Sequence, residues 1–269
     1  MAFKVLCLAF ALFCAVSAAP ESRIVGGTPT TIQDFPYIVA FIYEYPASQF
    51  VLQRCVGSLV SSWHVLTTAY CFTGAILDNM WIRAGSTNSM SGGTVVRIAN
   101  VIKHPNYVES PRSADIAVVI TKEALRITDS INVLFIPPSG INLPDGMETK
   151  IVSWGFENLS PSGQLEILKT IRLNKLPFAE CQSRFANVED VAIDQAMLCA
   201  GAPGRSICLG DSGAPMVTGS VLIGLSSYYE NCTDEYPDVF TRIDSYTDWI
   251  IEVATAPGRS SSPIKIADV

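Results

Sequence analysis

Gly210-Asp211-Ser212-Gly213-Ala214-Pro215 is the stretch on which the fold of this 269-residue chain turns. It sets an aspartate and a serine side by side between two glycines. Alone this is a weak signal, because a serine in a glycine-rich turn is common. Its weight comes from three other segments in a fixed order around it. Leu66-Thr67-Thr68-Ala69-Tyr70-Cys71 and Asp115-Ile116-Ala117-Val118 lie upstream, and Arg23-Ile24-Val25-Gly26-Gly27 stands near the start.

Between these segments the chain reads as short strands. β-branched and aromatic runs occur at 36–42, 64–68, 94–102, 115–121, 150–154, 221–225 and 239–243, separated by Gly, Pro, Asn and Ser clusters. Strands at this spacing predict barrels or a sandwich. Two segments predict helices: 178–185, and 245–254 with Trp249, Ile250 and Val253 on one apolar face. There is no internal repeat.

The four segments together resemble the trypsin/chymotrypsin family of serine proteases over residues 24 to about 254. The resemblance implies an all-β fold of two packed six-stranded antiparallel β-barrels with a C-terminal helix. The barrels would meet near 130–138, with a cleft between them. It implies a protease domain over 24–256, preceded by a short activation propeptide at 20–23. Ser212 would be the nucleophile and Asp115 the orienting acid. The main-chain N–H groups of Gly210 and Ser212 would form an oxyanion hole. Arg23–Ile24 resembles an activation bond cut by a trypsin-like protease, whose new Ile24 amine would pair with Asp211. The implied disulfides are Cys55–Cys71, Cys181–Cys199 and Cys208–Cys232. A protein or peptide partner would occupy the cleft as substrate, inhibitor or second protease.

One position departs from the pattern. Where the resemblance expects the histidine that takes the serine proton, this chain has Tyr70. A phenol titrates near pH 10 and is a poor base at neutral pH. Losing the triad base in a comparable protease costs on the order of 10⁶ in kcat. The chain has two histidines. His64 is expected on a strand, roughly 20 Å from Tyr70 at ~3.3 Å per residue. His104, in His104-Pro105-Asn106-Tyr107, is expected on a surface loop away from the cleft.

The substrate pocket departs as well. Its base by resemblance is Ser206, where trypsins carry aspartate. Asp238 stands on the wall where glycine is common; it is either a site for a basic side chain or a hydrogen-bonded pocket acid. Ser227-Tyr228-Tyr229 replaces a Ser-Trp-Gly wall, and Tyr229 is expected to narrow or fill the entrance.

Bulk features narrow the setting. An apolar run from Val5 to Val16 after Lys4, then Ser17-Ala18-Ala19, reads as a secretory signal peptide over 1–19. Of eight cysteines, Cys7 and Cys14 fall inside it, and six remain for disulfides in an exported chain. No CxxC occurs, so no metal is expected, and no cofactor is implied. A formal charge of −7 without a basic stripe argues against nucleic acid. No later apolar run reaches the ~18 residues of a membrane span. Residues 257–269 are Ser/Pro-rich and read as a disordered tail. Asn158-Leu159-Ser160 and Asn231-Cys232-Thr233 match the glycosylation sequon.

These features lead to a secreted serine protease homologue, without useful catalysis, that acts as a binding or regulatory scaffold. The alternative is an active serine endopeptidase, working at alkaline pH or carrying a sequence error at Tyr70. A storage or structural protein on the same fold is a third reading.

Overall fold

The computed structural model describes residues 25–156, 166–256 and 263–268. Thirteen strands and two short α-helices build it. The first barrel takes β2 (Ile38–Tyr45), β3 (Phe50–Leu59), β4 (His64–Thr67), β5 (Met80–Ala84), β6 (Thr94–Lys103) and β7 (Ala117–Thr121), closed in the order β2-β3-β4-β7-β6-β5. The second takes β8 (Glu148–Ser153), β9 (Lys169–Lys175), β10 (Met197–Gly201), β11 (Pro215–Thr218), β12 (Val221–Tyr228) and β13 (Asp238–Arg242). Its order is β9-β10-β13-β12-β11-β8, and the β8–β9 pairing closes the ring. The two-residue β1 (Thr28–Pro29) pairs with β9 outside it. All the strand pairings are antiparallel, as the resemblance implies.

Side-chain alternation explains the closure. Along β5, Met80, Ile82 and Ala84 point into the barrel, while Trp81 and Arg83 lie partly outside. Along β9, Ile171, Leu173 and Lys175 are buried, with Arg172 and Asn174 exposed between them. Lys175, at the end of β9, is buried because Asp145 Oδ1 accepts its ammonium at 2.5 Å and the Leu176 carbonyl at 3.2 Å. A continuous apolar cluster joins Ile38, Val56, Leu66 and Val118 of the first barrel to Ile151, Leu198, Met216 and Phe240 of the second. That shared core fixes how the barrels face each other, and with it the cleft.

Three disulfides join the six cysteines as the resemblance implies: Cys55–Cys71, Cys181–Cys199 and Cys208–Cys232. The first ties β3 to the single 3₁₀ turn Ala69–Phe72 that carries Tyr70. The second ties α1 (Phe178–Arg184) to β10. α2 (Thr247–Thr255) buries Ile250 and Val253, while Trp249 is half-buried.

One expectation changes and another gains detail. Part of the segment read as a disordered tail returns to the body. Ile136 N–H donates to Lys265 O at 3.0 Å and Ala267 N–H to Ile136 O at 2.9 Å, and Ile264 packs on the core. Ile264 finds apolar surface, and Lys265 and Ala267 find main-chain partners on the inter-barrel linker, while Ile266 stays exposed; residues 257–262 lie outside the described residues. His104 lies in the loop after β6 and does not line the cleft, as expected, but it is half-buried there. Its ring meets Tyr246 at 5.0 Å and Trp249 at 4.9 Å, and burial lowers its pKa.

Candidate functional site

Between the barrels lies a cleft of about 460 Å³. Tyr70, Arg112, Gly210, Ser212, Ser227 and Tyr229 are among the residues that line it. Tyr70 comes from the turn after β4, Arg112 from the loop before β7, and Gly210 with Ser212 from the turn before β11. Ser227 and Tyr229 come from the end of β12.

Sharp turns shape the nucleophile segment. Gly213 has φ +82°, and a Cβ there would run into Val56 O and the Thr67 hydroxyl, so only glycine fits. Asp211 N–H donates to Cys208 O at 3.1 Å and Gly213 N–H to Ser226 O at 2.8 Å. The N–H groups of Gly210 and Ser212 make no hydrogen bond among the described residues, which leaves two main-chain donors in the nucleophile segment. Gln53 donates to Gly210 O at 2.6 Å and holds that peptide in place.

Asp115 is 2% exposed beneath the cleft. Its Oδ1 accepts Tyr70 N–H at 2.8 Å and its Oδ2 accepts the Ser227 hydroxyl at 2.6 Å. Burial raises its pKa; the Ser227 hydroxyl, the Arg112 charge and the Tyr70 N–H pull it back. The acid thus grips the backbone of residue 70 and a neighbouring hydroxyl. Among the described residues the Ser212 hydroxyl makes no hydrogen bond, and neither does the Tyr70 phenol. His64 is buried, with Nδ1 2.7 Å from Ser61 Oγ, and neither histidine lines the cleft.

Arg112 was not among the residues singled out by sequence. Its guanidinium lies 4.0 Å from the centre of the Tyr70 ring and 5.9 Å from that of Tyr228. One terminal nitrogen donates to Ser227 O at 2.5 Å, while Nε is buried without a partner. Nothing in the loop Ser110-Pro111-Arg112-Ser113 marks that arginine as different from a solvated one.

The residues expected to form the substrate pocket are divided between the cleft wall and the buried interior. Tyr229 packs against the cluster of Phe156 and the Cys208–Cys232 bridge, and burial raises its pKa. Ser206 and Asp238 are buried and do not line the cleft. Asp238 accepts the Ser206 hydroxyl at 2.7 Å and Ile207 N–H at 3.0 Å. Of the two roles open to Asp238, the geometry is that of the hydrogen-bonded acid. Burial holds its carboxyl well above the ordinary range.

Asp211 is also buried. It accepts Gly155 N–H at 3.0 Å and Cys208 N–H at 2.8 Å, and burial pushes its pKa up to about 7. Arg23 and Ile24 lie outside the described residues. Val25, next in the chain, pairs with Ser206 across a single antiparallel bridge. Asn231, at the cleft rim, is exposed; Asn158 lies outside the described residues. Among the described residues no cluster of His, Cys, Asp and Glu could hold a metal ion, and no helix is long and apolar enough to cross a membrane.

Comparison with known proteins agrees with this architecture. The sequence model of the family described as Trypsin matches residues 24–250. Alkaline trypsin C of Manduca sexta is 35% identical over 250 residues, covering 91% of this chain and 96% of that protein. Trypsin CFT-1 of Choristoneura fumiferana is 32% identical, covering 93% and 97%. Among solved structures, the scabies mite inactivated protease paralogue S-D1 superposes with a TM-score of 0.77 at 23% identity, over 89% of this chain and 100% of that one. Paralogue S-I1 superposes with 0.74 at 25%, over 84% and 97%. Two closed barrels, three disulfides and this match over most of the chain place it in one family: the chain belongs to the trypsin family.

Proposed function

We propose that this protein is a secreted serine protease homologue that lacks peptidase activity and serves as a binding or regulatory scaffold. Tyr70 stands where the family's proton acceptor would be. The observation that carries the reading is the isolation of the Ser212 hydroxyl: it has no hydrogen-bond acceptor among the described residues, and both Asp115 oxygens are engaged elsewhere. Without a base the hydroxyl keeps its proton and cannot attack a carbonyl at a useful rate. The description of the two mite proteins as inactivated paralogues supports the same reading. The leader at 1–19 and three disulfides support export. Cleavage after Arg23 would free an amine for Asp211, so the scaffold retains a device for changing shape. Its partner is a protein or peptide presented to the cleft. The test is hydrolysis of a peptide library by protein cut after Arg23, at pH 7–8. No turnover above a Ser212→Ala control is expected, and turnover that depends on Ser212 would overturn the reading.

A second reading has one observation in its favour: the Manduca sexta relative is named an alkaline trypsin. At high pH a phenolate could act as the base. Activity that climbs steeply across pH 9–11 and vanishes in Tyr70→Phe would establish it.

A further inference from the structure

We propose that Arg112 holds the cleft shut against an extended peptide, so that restoring a base at residue 70 would not by itself restore peptide cleavage. The proposal rests on the reading of the cleft given above, and it concerns a separate barrier: access rather than proton transfer.

Ser227 marks the place where a peptide chain could be laid beside Ser212. β12 pairs with β13 through Ser226 and Tyr228, and the register shifts between them, so Ser227 is skipped by the ladder. Its carbonyl accepts the Arg112 guanidinium at the cleft wall, and Ser212 lines the same cleft. An extended peptide docks on such an edge by donating its own N–H groups to free carbonyls. Here that carbonyl is already taken by the Arg112 guanidinium, a charged donor stronger than a peptide N–H. The same guanidinium lies over the Tyr70 ring, 4.0 Å from its centre, and 5.9 Å from the centre of Tyr228, so its charge and bulk stand beside that carbonyl.

The blocking side chain is held from behind. Arg112 N–H donates to Asp190 O at 2.9 Å, and Arg112 forms a parallel bridge with Val191. Val108 and Ser113 exchange main-chain hydrogen bonds of 3.1 and 3.0 Å and close the loop around it. Ser227 is held from its other side, since its hydroxyl donates to Asp115. Arg112, Ser227 and Tyr70 therefore brace one another. Tyrosine at position 70 contributes the broad ring on which the guanidinium rests.

The experiment measures binding, so it does not depend on catalysis. Full-length protein is cut after Arg23, in a Ser212→Ala background that prevents turnover. Twenty labelled octapeptide amides differing at one central residue are titrated by fluorescence anisotropy. The parent is compared with Arg112→Ala and with Arg112→Met, which keeps an apolar stem but no donor; thermal melts confirm folding. For the best peptide, Kd is expected to fall at least tenfold in both variants. Affinities within twofold of the parent, or no binding in any variant, would overturn the proposal. A companion assay uses Tyr70→His with Ser212 intact. That variant should hydrolyse a small activated ester but cleave extended peptides only once Arg112→Ala is added. Peptidase activity in the unmodified protein would overturn the inactive reading, while the binding comparison would still decide the role of Arg112.

Discussion

Asp115 Oδ1 accepts the main-chain N–H of Tyr70 at 2.8 Å, so the buried acid anchors the backbone of residue 70 whatever side chain that residue carries. Its other oxygen accepts Ser227, and Thr241 donates to its carbonyl at 2.8 Å. An acid placed this way has a structural role independent of any catalytic one, because it ties residue 70 to Ser227 and Thr241.

That bracing predicts a stability cost. Asp115→Ala strands the Tyr70 N–H and the Ser227 hydroxyl in a buried site, at about 1–3 kcal/mol per donor. Chemical denaturation should show a loss of about 3 kcal/mol or more. Asp115→Asn, which can still accept one of the bonds, should lose less. Wild-type stability in Asp115→Ala would refute the bracing role.

Tyr229 should be as much structural as obstructive. Tyr229→Gly removes a ring packed on Phe156 and the Cys208–Cys232 bridge, and about 3 kcal/mol of stability should go with it. The same change opens a path toward Asp238 and Ser206, so benzamidine, a basic aromatic probe, should bind the variant and not the parent. Equal benzamidine binding by both proteins would show that the pocket is not closed.

The uncut chain should become less stable as pH rises from about 4 to about 7. Asp211, pushed up to about 7 by burial, binds its proton more tightly folded than unfolded, where a carboxyl titrates near 3.9. Its contribution is fully present below about pH 4 and is lost as pH climbs to about 7. The melting temperature of the uncut chain should therefore fall over that window. Asp211→Asn, which carries no charge, should flatten the fall. An unchanged slope in the variant would assign the pH dependence elsewhere.

Replacing Cys208 and Cys232 by serine together should cost about 3 kcal/mol, the scale set by a closed loop of this length. The loss should concentrate where Tyr229 packs, so hydrogen exchange ought to rise in 206–210 and 226–232 before the rest of the second barrel. Uniform exchange across both barrels would contradict a local role.

Much of this architecture was legible because strand patterns and motif order repeat the same information. The runs at 64–68, 94–102 and 221–225 became β4, β6 and β12 with shifts of a few residues, and the cysteines paired as the resemblance implied. β9 escaped because Lys169, Arg172, Asn174 and Lys175 interrupt its apolar positions, and the burial of Lys175 depends on Asp145, 30 residues away. β3 and β10 escaped because polar and small residues there, Gln53 and Gly201 among them, weaken the periodicity. Tyr70 and Tyr229 stood out in the motifs themselves. Arg112 could not, since its meaning lies in contacts with Tyr70 and Ser227, 42 and 115 positions distant in the chain. Asp238 was visible as an acid, but only its bonds to Ser206 and Ile207 separate its two roles.

The most direct test of the central claim, that Ser212 lacks a base, is the rate of fluorophosphonate labelling at pH 7.5 on protein cut after Arg23. This small probe reports serine activation without needing the strand edge that Arg112 occupies. Wild type should label no faster than Ser212→Ala, while Tyr70→His should label faster by about 10³-fold or more. Labelling of wild type at a rate near that of Tyr70→His would contradict the account.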